Sequence, residues 1–111
     1  MSSKVPGRGD LVLLNFSPQA GCEQSGYRPG VVLSPKKFNK ITGYVTIAPI
    51  TINARGWGYE VSLPSGLVFE GVILTDQIKN LDWSARNLKI KGHAPPVIVE
   101  ECLNKIATFL L

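Results

Sequence analysis

Residues 43–50, GYVTIAPI, set Tyr44, Thr46 and Ala48 in alternation with Val45, Ile47 and Pro49. A period of two sends successive side chains to opposite faces of an extended chain, and β-branched residues suit a pleated surface, so a strand is expected here. Its neighbours on both sides have the same character. Upstream, GDLVLLNF (9–16) reads as a first, largely buried strand and RPGVVLS (28–34) as a second, after a polar, glycine-punctuated loop. Ser34-Pro35 has the form of an N-cap followed by proline at the first helical position, so one helical turn is expected over PKKFN (35–39). Downstream, YEVSL (59–63) and GLVFEGVIL (66–74) flank Pro64-Ser65 as a hairpin, and DQIKNLDW (76–83) continues as a strand with a bulge. The stretch KGHAPP (91–96) reads as a glycine- and proline-rich connection.

The end of the chain changes period. In VIVEECLNKIATFLL (97–111), Val99, Cys102, Leu103, Ile106, Phe109 and Leu110 recur at three- and four-residue spacing, with proline just before the start and Glu100-Glu101 in an early turn. That pattern is an amphipathic helix. Short strands closed by one terminal helix give a mainly β fold with a C-terminal α-helix: a small antiparallel barrel or strongly bent sheet.

The 111 residues fit one domain, 1–111, without repeats or linkers. Hydrophobic residues at 44% and charged ones at 18% belong to a folded globule that can bury a core unaided. The net charge of +4 leans toward an anionic partner. Cys22 and Cys102 match no metal spacing and are expected as free thiols in a reducing, cytoplasmic setting. The apolar C-terminal stretch is too short and too interrupted by charge to span a membrane. The acidic residues show no calcium or zinc spacing, and no glycine-rich phosphate loop is present.

Three polar residues stand out against this frame. Arg28 sits where the polar loop enters the second strand, Thr51 where the third strand exits, and Glu23 lies in the loop itself. A loop and two strand ends can converge at one rim of a barrel, although each residue also has an ordinary structural reading as a surface ion pair or turn cap. His93, the only histidine, has no evident partner and reads as structural or solvent-exposed. Phe16, Tyr27, Trp57 and Tyr59 lie in or beside the same loops, where aromatic faces either stack bases or fill the core.

Three ordered blocks carry a resemblance. GDLVLLNFSPQAGCEQSGYRPGVVLSP (9–35), TGYVTIAPITIN (42–53) and EGVILTDQIKNLDW (70–83) resemble, in order, the signature of the MazF/PemK toxin family across nearly the whole chain. The resemblance implies a compact antiparallel barrel of the SH3-like or CcdB-like kind, acting as a homodimer. It also implies a metal-independent, sequence-selective endoribonuclease on single-stranded RNA with no cofactor, held in check by an antitoxin with an acidic disordered tail. DNA would be met only indirectly, through the antitoxin complex, and no membrane is involved. By the same resemblance Arg28, Thr51 and Glu23 are catalytic, and Phe16, Gln24, Tyr27, Asn53, Gln77 and Lys79 contact substrate. Ile52 stands where the family often carries a second threonine or a serine, and Tyr27 where it often has a polar residue or histidine. A gyrase poison on the shared fold and a binding-only RNA module are the alternatives.

Overall fold

The structure, a computed structural model, describes residues 4–16 and 27–111. Its organising strand is β3, Tyr44–Thr51. One edge of β3 pairs antiparallel with β2 (Tyr27–Val32), setting Gly30 opposite Pro49, Val31 opposite Ala48 and Val32 opposite Ile47. The other edge is divided. Residues 44–47 pair with β6 (Lys79–Asp82), and Ile50 and Thr51 pair with β5 (Val72–Leu74). Outward from β2 come β1 (Asp10–Asn15) and β7 (Lys89–His93), and outward from β5 comes β4 (Glu60–Ser62). Every pairing is antiparallel, and the path β4-β5-β3-β2-β1-β7 is open, with β6 added beside β3. The helices are α1 (Lys36–Thr42) and α2 (Pro96–Leu110). The expected fold class, antiparallel β with a C-terminal helix, is the observed one, with an open sheet path where the resemblance implies a barrel.

The apolar runs are explained by two cores, one on each face of the sheet. Leu11, Val31, Ala48 and Ile50 pack with Val61, Ile73 and the buried stripe Val99, Cys102 and Ile106 of α2. Their strand neighbours Val12, Val32, Val45 and Ile47 turn the other way and join Leu14 and Leu81 in a second cluster, flanked by Phe16, Trp83, Leu88 and Ile90. A strand buried on both faces shows a continuous apolar run, as in LVLL and VVL. Truncating Ile47, fully buried in the second core, to alanine would cost about 2–5 kcal/mol.

One buried polar residue ties α1 to the sheet. The Asn39 amide donates to the carbonyls of Pro6 (2.8 Å) and Ser34 (3.1 Å), its Oδ1 accepts from the Ser34 hydroxyl (2.5 Å), and its carbonyl accepts from the Trp83 indole (3.0 Å). Each polar atom of the side chain is satisfied, which is what lets an asparagine be fully buried. The helix therefore runs to Thr42, longer than the single turn expected, and stops at Gly43 in the left-handed region (φ 77°). Pro35 occupies the N-cap itself, with Ser34 committed to Asn39 instead.

Three further expectations need correction. The hairpin of β4 and β5 exists, but residues 63–71 form its connection, because Leu67 and Phe69 fold back onto the helix-covered core from a loop. Before β6 the chain makes a 3-10 turn, Thr75–Gln77, where a bulged strand is expected from residue 76. KGHAPP is not simply a connection, since residues 89–93 are β7, paired to β1.

Candidate active site

The register of the sheet decides what meets what. The paired register of β2 on β3 ends at Gly30 and Pro49; extended by two residues along each strand, it runs from Arg28 to Thr51. By the two-residue alternation Arg28 lies on the face of Gly30 and Val32, and Thr51 on that of Pro49 and Ile47. These are the same face, since Val32 and Ile47 share the second core. Arg28 is exposed there and Thr51 half-exposed. Glu23 and Gln24 lie outside the described residues.

Gly30 must lack a side chain for this arrangement: a Cβ there would meet Ile47 Cδ1 at 2.8 Å and the Ala48 carbonyl at 3.0 Å. The Thr51 hydroxyl oxygen accepts from the Asn53 backbone N–H (3.1 Å), a local turn that fixes the oxygen and leaves its proton for donation. Asn53 is exposed at this exit.

The other expected contacts are placed less uniformly. Lys79 is exposed on β6, level with Ile47, four residues or roughly 13 Å along β3 from Thr51. Gln77 is exposed on the 3-10 turn, which packs on β3. Phe16 is half-buried against the second core, and its carbonyl accepts from Arg86 Nη1 (2.8 Å). Tyr27 is half-buried, and its hydroxyl donates to the carbonyl of Asn87 (3.1 Å). Arg28 and Thr51 thus lie at the ends of adjacent strands with Asn53 bonded to Thr51, Lys79 and Gln77 lie apart on β6 and the 3-10 turn, and Phe16 and Tyr27 serve as anchors.

Several residues at this rim were not legible in the sequence. The turn 83–88 grips both β1 and β2: Asn15 N–H donates to the Arg86 carbonyl (3.0 Å), Arg86 returns bonds to the carbonyls of Asn15 and Phe16, and Asn87 takes the Tyr27 hydroxyl. Asp82 Oδ1 braces this turn by accepting from the N–H groups of Ser84 and Ala85, and Asn87 completes it at φ 53°. Glu60 holds the chain after Thr51, accepting from the N–H groups of Arg55 (2.8 Å) and Gly56 (2.9 Å). On that loop the Arg55 guanidinium stands 5.9 Å from the centre of the half-exposed Trp57 ring, and Lys105 of α2 donates to the Gly58 carbonyl (2.6 Å). Asp76 Oδ1 is buried without a hydrogen-bond partner among the described residues. A carboxylate four residues beyond a glycine turn was the available signal for Glu60.

His93 does have a partner. Its Nδ1 lies 3.1 Å from Asp10 Oδ1 while the ring stays 61% exposed. It lines a groove of about 490 Å³ with Arg8, Val99, Glu100 and Leu103, and an adjoining groove of about 260 Å³ shares Arg8 and Leu103. None of the expected site residues lines either of these two grooves. Cys102 is fully buried, and burial, reinforced by Glu101 and opposed by Lys105, pushes its thiol up to about 12. It stays protonated and unreactive at neutral pH. Cys22 lies outside the described residues. No described helix is long and apolar enough to cross a membrane.

The family whose profile matches residues 7–110 is described as the PemK-like, MazF-like toxin of type II toxin-antitoxin systems. The chain belongs to this family. Among its members, the endoribonuclease toxin MazF of Escherichia coli K12 is 44% identical over 96 residues, 86% of each chain. The endoribonuclease PemK of Escherichia coli is 36% identical over 107 residues, covering 93% of this chain and 80% of that one. The crystal structure of MazF from Deinococcus radiodurans superposes with a TM-score of 0.88 at 42% identity, spanning 97% of this chain and 98% of that one. A MazE-MazF crystal structure from the same organism matches at 0.86 and 37% identity, spanning 97% of each chain. The PemK/MazF relatives thus share with this chain the whole sheet and its terminal helix.

Proposed function

We propose that this chain is a toxin endoribonuclease that cleaves single-stranded RNA at the Arg28–Thr51 rim. What supports the reading is that the β2–β3 register, extended by two residues, runs from an exposed arginine to a threonine on the same sheet face, in a chain of this family. RNA brings its own nucleophile. The 2′-oxygen bonds to phosphorus, the P–O5′ bond breaks, and the products are a 2′,3′-cyclic phosphate and a 5′-hydroxyl. The protein must hold the phosphate and stabilise the added negative charge of the pentacoordinate transition state. The forked, permanently charged guanidinium of Arg28 suits the equatorial oxygens, and Thr51 can donate one further hydrogen bond. Arginine stays protonated, so the 2′-proton needs another acceptor, and we assign it to Glu23; the 5′-oxygen takes its proton from water. Asn53, Gln77 and Lys79, with Phe16, Gln24 and Tyr27, would contact the strand on either side.

The active form is a cytoplasmic homodimer, and its inhibitor is an antitoxin whose acidic tail is disordered when free. Such a tail would lie over Arg28 and Lys79, mimicking a phosphate chain and ordering on contact. The test is digestion of a long single-stranded RNA in the presence of a chelator. Cleavage with cyclic-phosphate and 5′-hydroxyl ends is expected, and a 2′-deoxy substitution at the mapped cut should block it. Normal cutting of the blocked RNA, or strict dependence on magnesium, would overturn the mechanism. Competition between a cognate antitoxin peptide and a non-cleavable RNA tests the partner; simultaneous, independent binding would rule out a shared site.

A further inference from the structure

We propose that Gly71 is a positioning residue for Thr51, setting the height of its hydroxyl by having no side chain. The inference rests on the reading of Thr51 as a catalytic residue. Gly71 ends the loop before β5 at φ +117°, a conformation that side-chain-bearing residues rarely adopt. A Cβ on Gly71 would lie 2.2 Å from the Thr51 carbonyl oxygen, 2.8 Å from its carbonyl carbon and 3.1 Å from Ile52 Cα. All three are backbone atoms, so no side-chain rotation relieves the contact. Gly71 itself is fixed: its carbonyl accepts from Leu63 N–H (3.0 Å), and the next residue, Val72, is paired with Thr51 in the sheet. Any added atom at this point pushes Thr51 and the Ile52 turn away from β5.

Gly66 supplies a matched control. It lies in the same loop at φ +91° with nothing within 4 Å of a built Cβ, so Gly66→Ala carries comparable backbone strain without the collision. The experiment compares wild type, Gly71→Ala, Gly66→Ala and Thr51→Ala in RNA cleavage, with thermal melts and the Thr51 methyl resonance by NMR. For Gly71→Ala, kcat should fall by about 10–100-fold with KM little changed, as displacement of a reacting group by about 1 Å predicts. Its Thr51 methyl resonance should shift, while Gly66→Ala behaves as wild type in both. Wild-type kcat in Gly71→Ala beside an inactive Thr51→Ala overturns the inference and leaves the reading of the site intact. Full activity in Thr51→Ala overturns that reading instead. If Gly71→Ala melts low, the assay is run below its transition; failure to fold at any temperature while Gly66→Ala folds means the contact holds the sheet, and also overturns the positioning role.

Discussion

Thr51 and Arg28 stand at the ends of neighbouring strands, yet the backbone behind each is held by a different kind of interaction. Behind Thr51 the support is steric: β5 comes so close that only glycine fits at position 71. Behind Arg28 it is a set of hydrogen bonds, in which Arg86 and Asn87 of one distant turn take hold of Asn15, Phe16 and Tyr27. The nearest constraint on Thr51 is the absence of an atom at position 71, with the Glu60 clamp beyond it, and the nearest on Arg28 is the presence of donors, with the close approach at Gly30 farther along β2. Close packing resists displacement steeply and has no conservative substitute. Hydrogen bonds to carbonyls can be lost singly, each for a modest net cost, because water replaces part of what is removed. The two halves of the site should therefore respond to mutation differently.

The sharpest break comes from the groups themselves. Arg28→Ala and Thr51→Ala should each lower kcat by about 10²–10³-fold, as loss of a transition-state donor does, with cooperative melts retained. Arg28→Lys should recover only a small part of the arginine effect, because a point charge lacks the forked donor set. Cleavage assays beside calorimetry check both. An unfolded alanine variant would return that residue to a structural role.

The clasp behind Arg28 should matter less. Arg86→Ala removes donors to two carbonyls and should lower stability by about 1–2 kcal/mol. Its effect on cleavage should be smaller than that of Gly71→Ala. Tyr27→Phe deletes a single half-exposed bond, worth about 0.5–1.5 kcal/mol. A double-mutant cycle on Arg86 and Tyr27, read by denaturant melts, should show coupling, since both bonds end on the same turn. Strict additivity would mean that the turn grips the two strands independently.

On the Thr51 side, Glu60→Gln removes the charge and one of the two acceptors, so only one of the Arg55 and Gly56 N–H groups keeps its bond. A rise in KM with little change in kcat is expected, because the loop it orders flanks the reacting atoms. A fall in kcat alone would place that loop in the chemistry. A last effect, silent at neutral pH, concerns Cys102, buried in the helix-covered core. Its thiol ionises near 9.0 when unfolded and near 12 in the native state, so the unfolded chain loses its proton first. Stability from this group is complete below pH 9 and declines as pH rises toward 12, by at most about 1.4 kcal/mol per pH unit. Cys102→Ala should flatten that part of the stability–pH curve, measured by urea titration, at the cost of some packing.

Much of the fold could be read without coordinates. LVLL, VVL and YVTIAPI are strands because β-branched and apolar residues leave little else available, and the terminal helix announces itself by its three- and four-residue period. β7 was missed because Lys89, Lys91 and His93 are exposed and only Ile90 is apolar; its partner is β1, far away in sequence. Leu67 and Phe69 misled in the opposite sense, since a loop folded onto the core carries the same hydrophobic signal as a strand. His93 found Asp10 only through the pairing of those two strands.

The site divides along the same line. Arg28 and Thr51 were singled out by residue type at a strand entry and exit, and the ordered blocks named the family. Chemistry is local to a side chain, and so are periodicity and turn preference, which is why the sequence alone determined the fold class and pointed to the two residues proposed as catalytic. Register is not local. Whether the β2–β3 register runs from Arg28 to Thr51, whether position 71 admits a methyl group and which turn holds Tyr27 all depend on atoms brought together across the sheet from distant parts of the chain. Those relations arise only when the strands pair and the cores close, so only the tertiary structure could decide them.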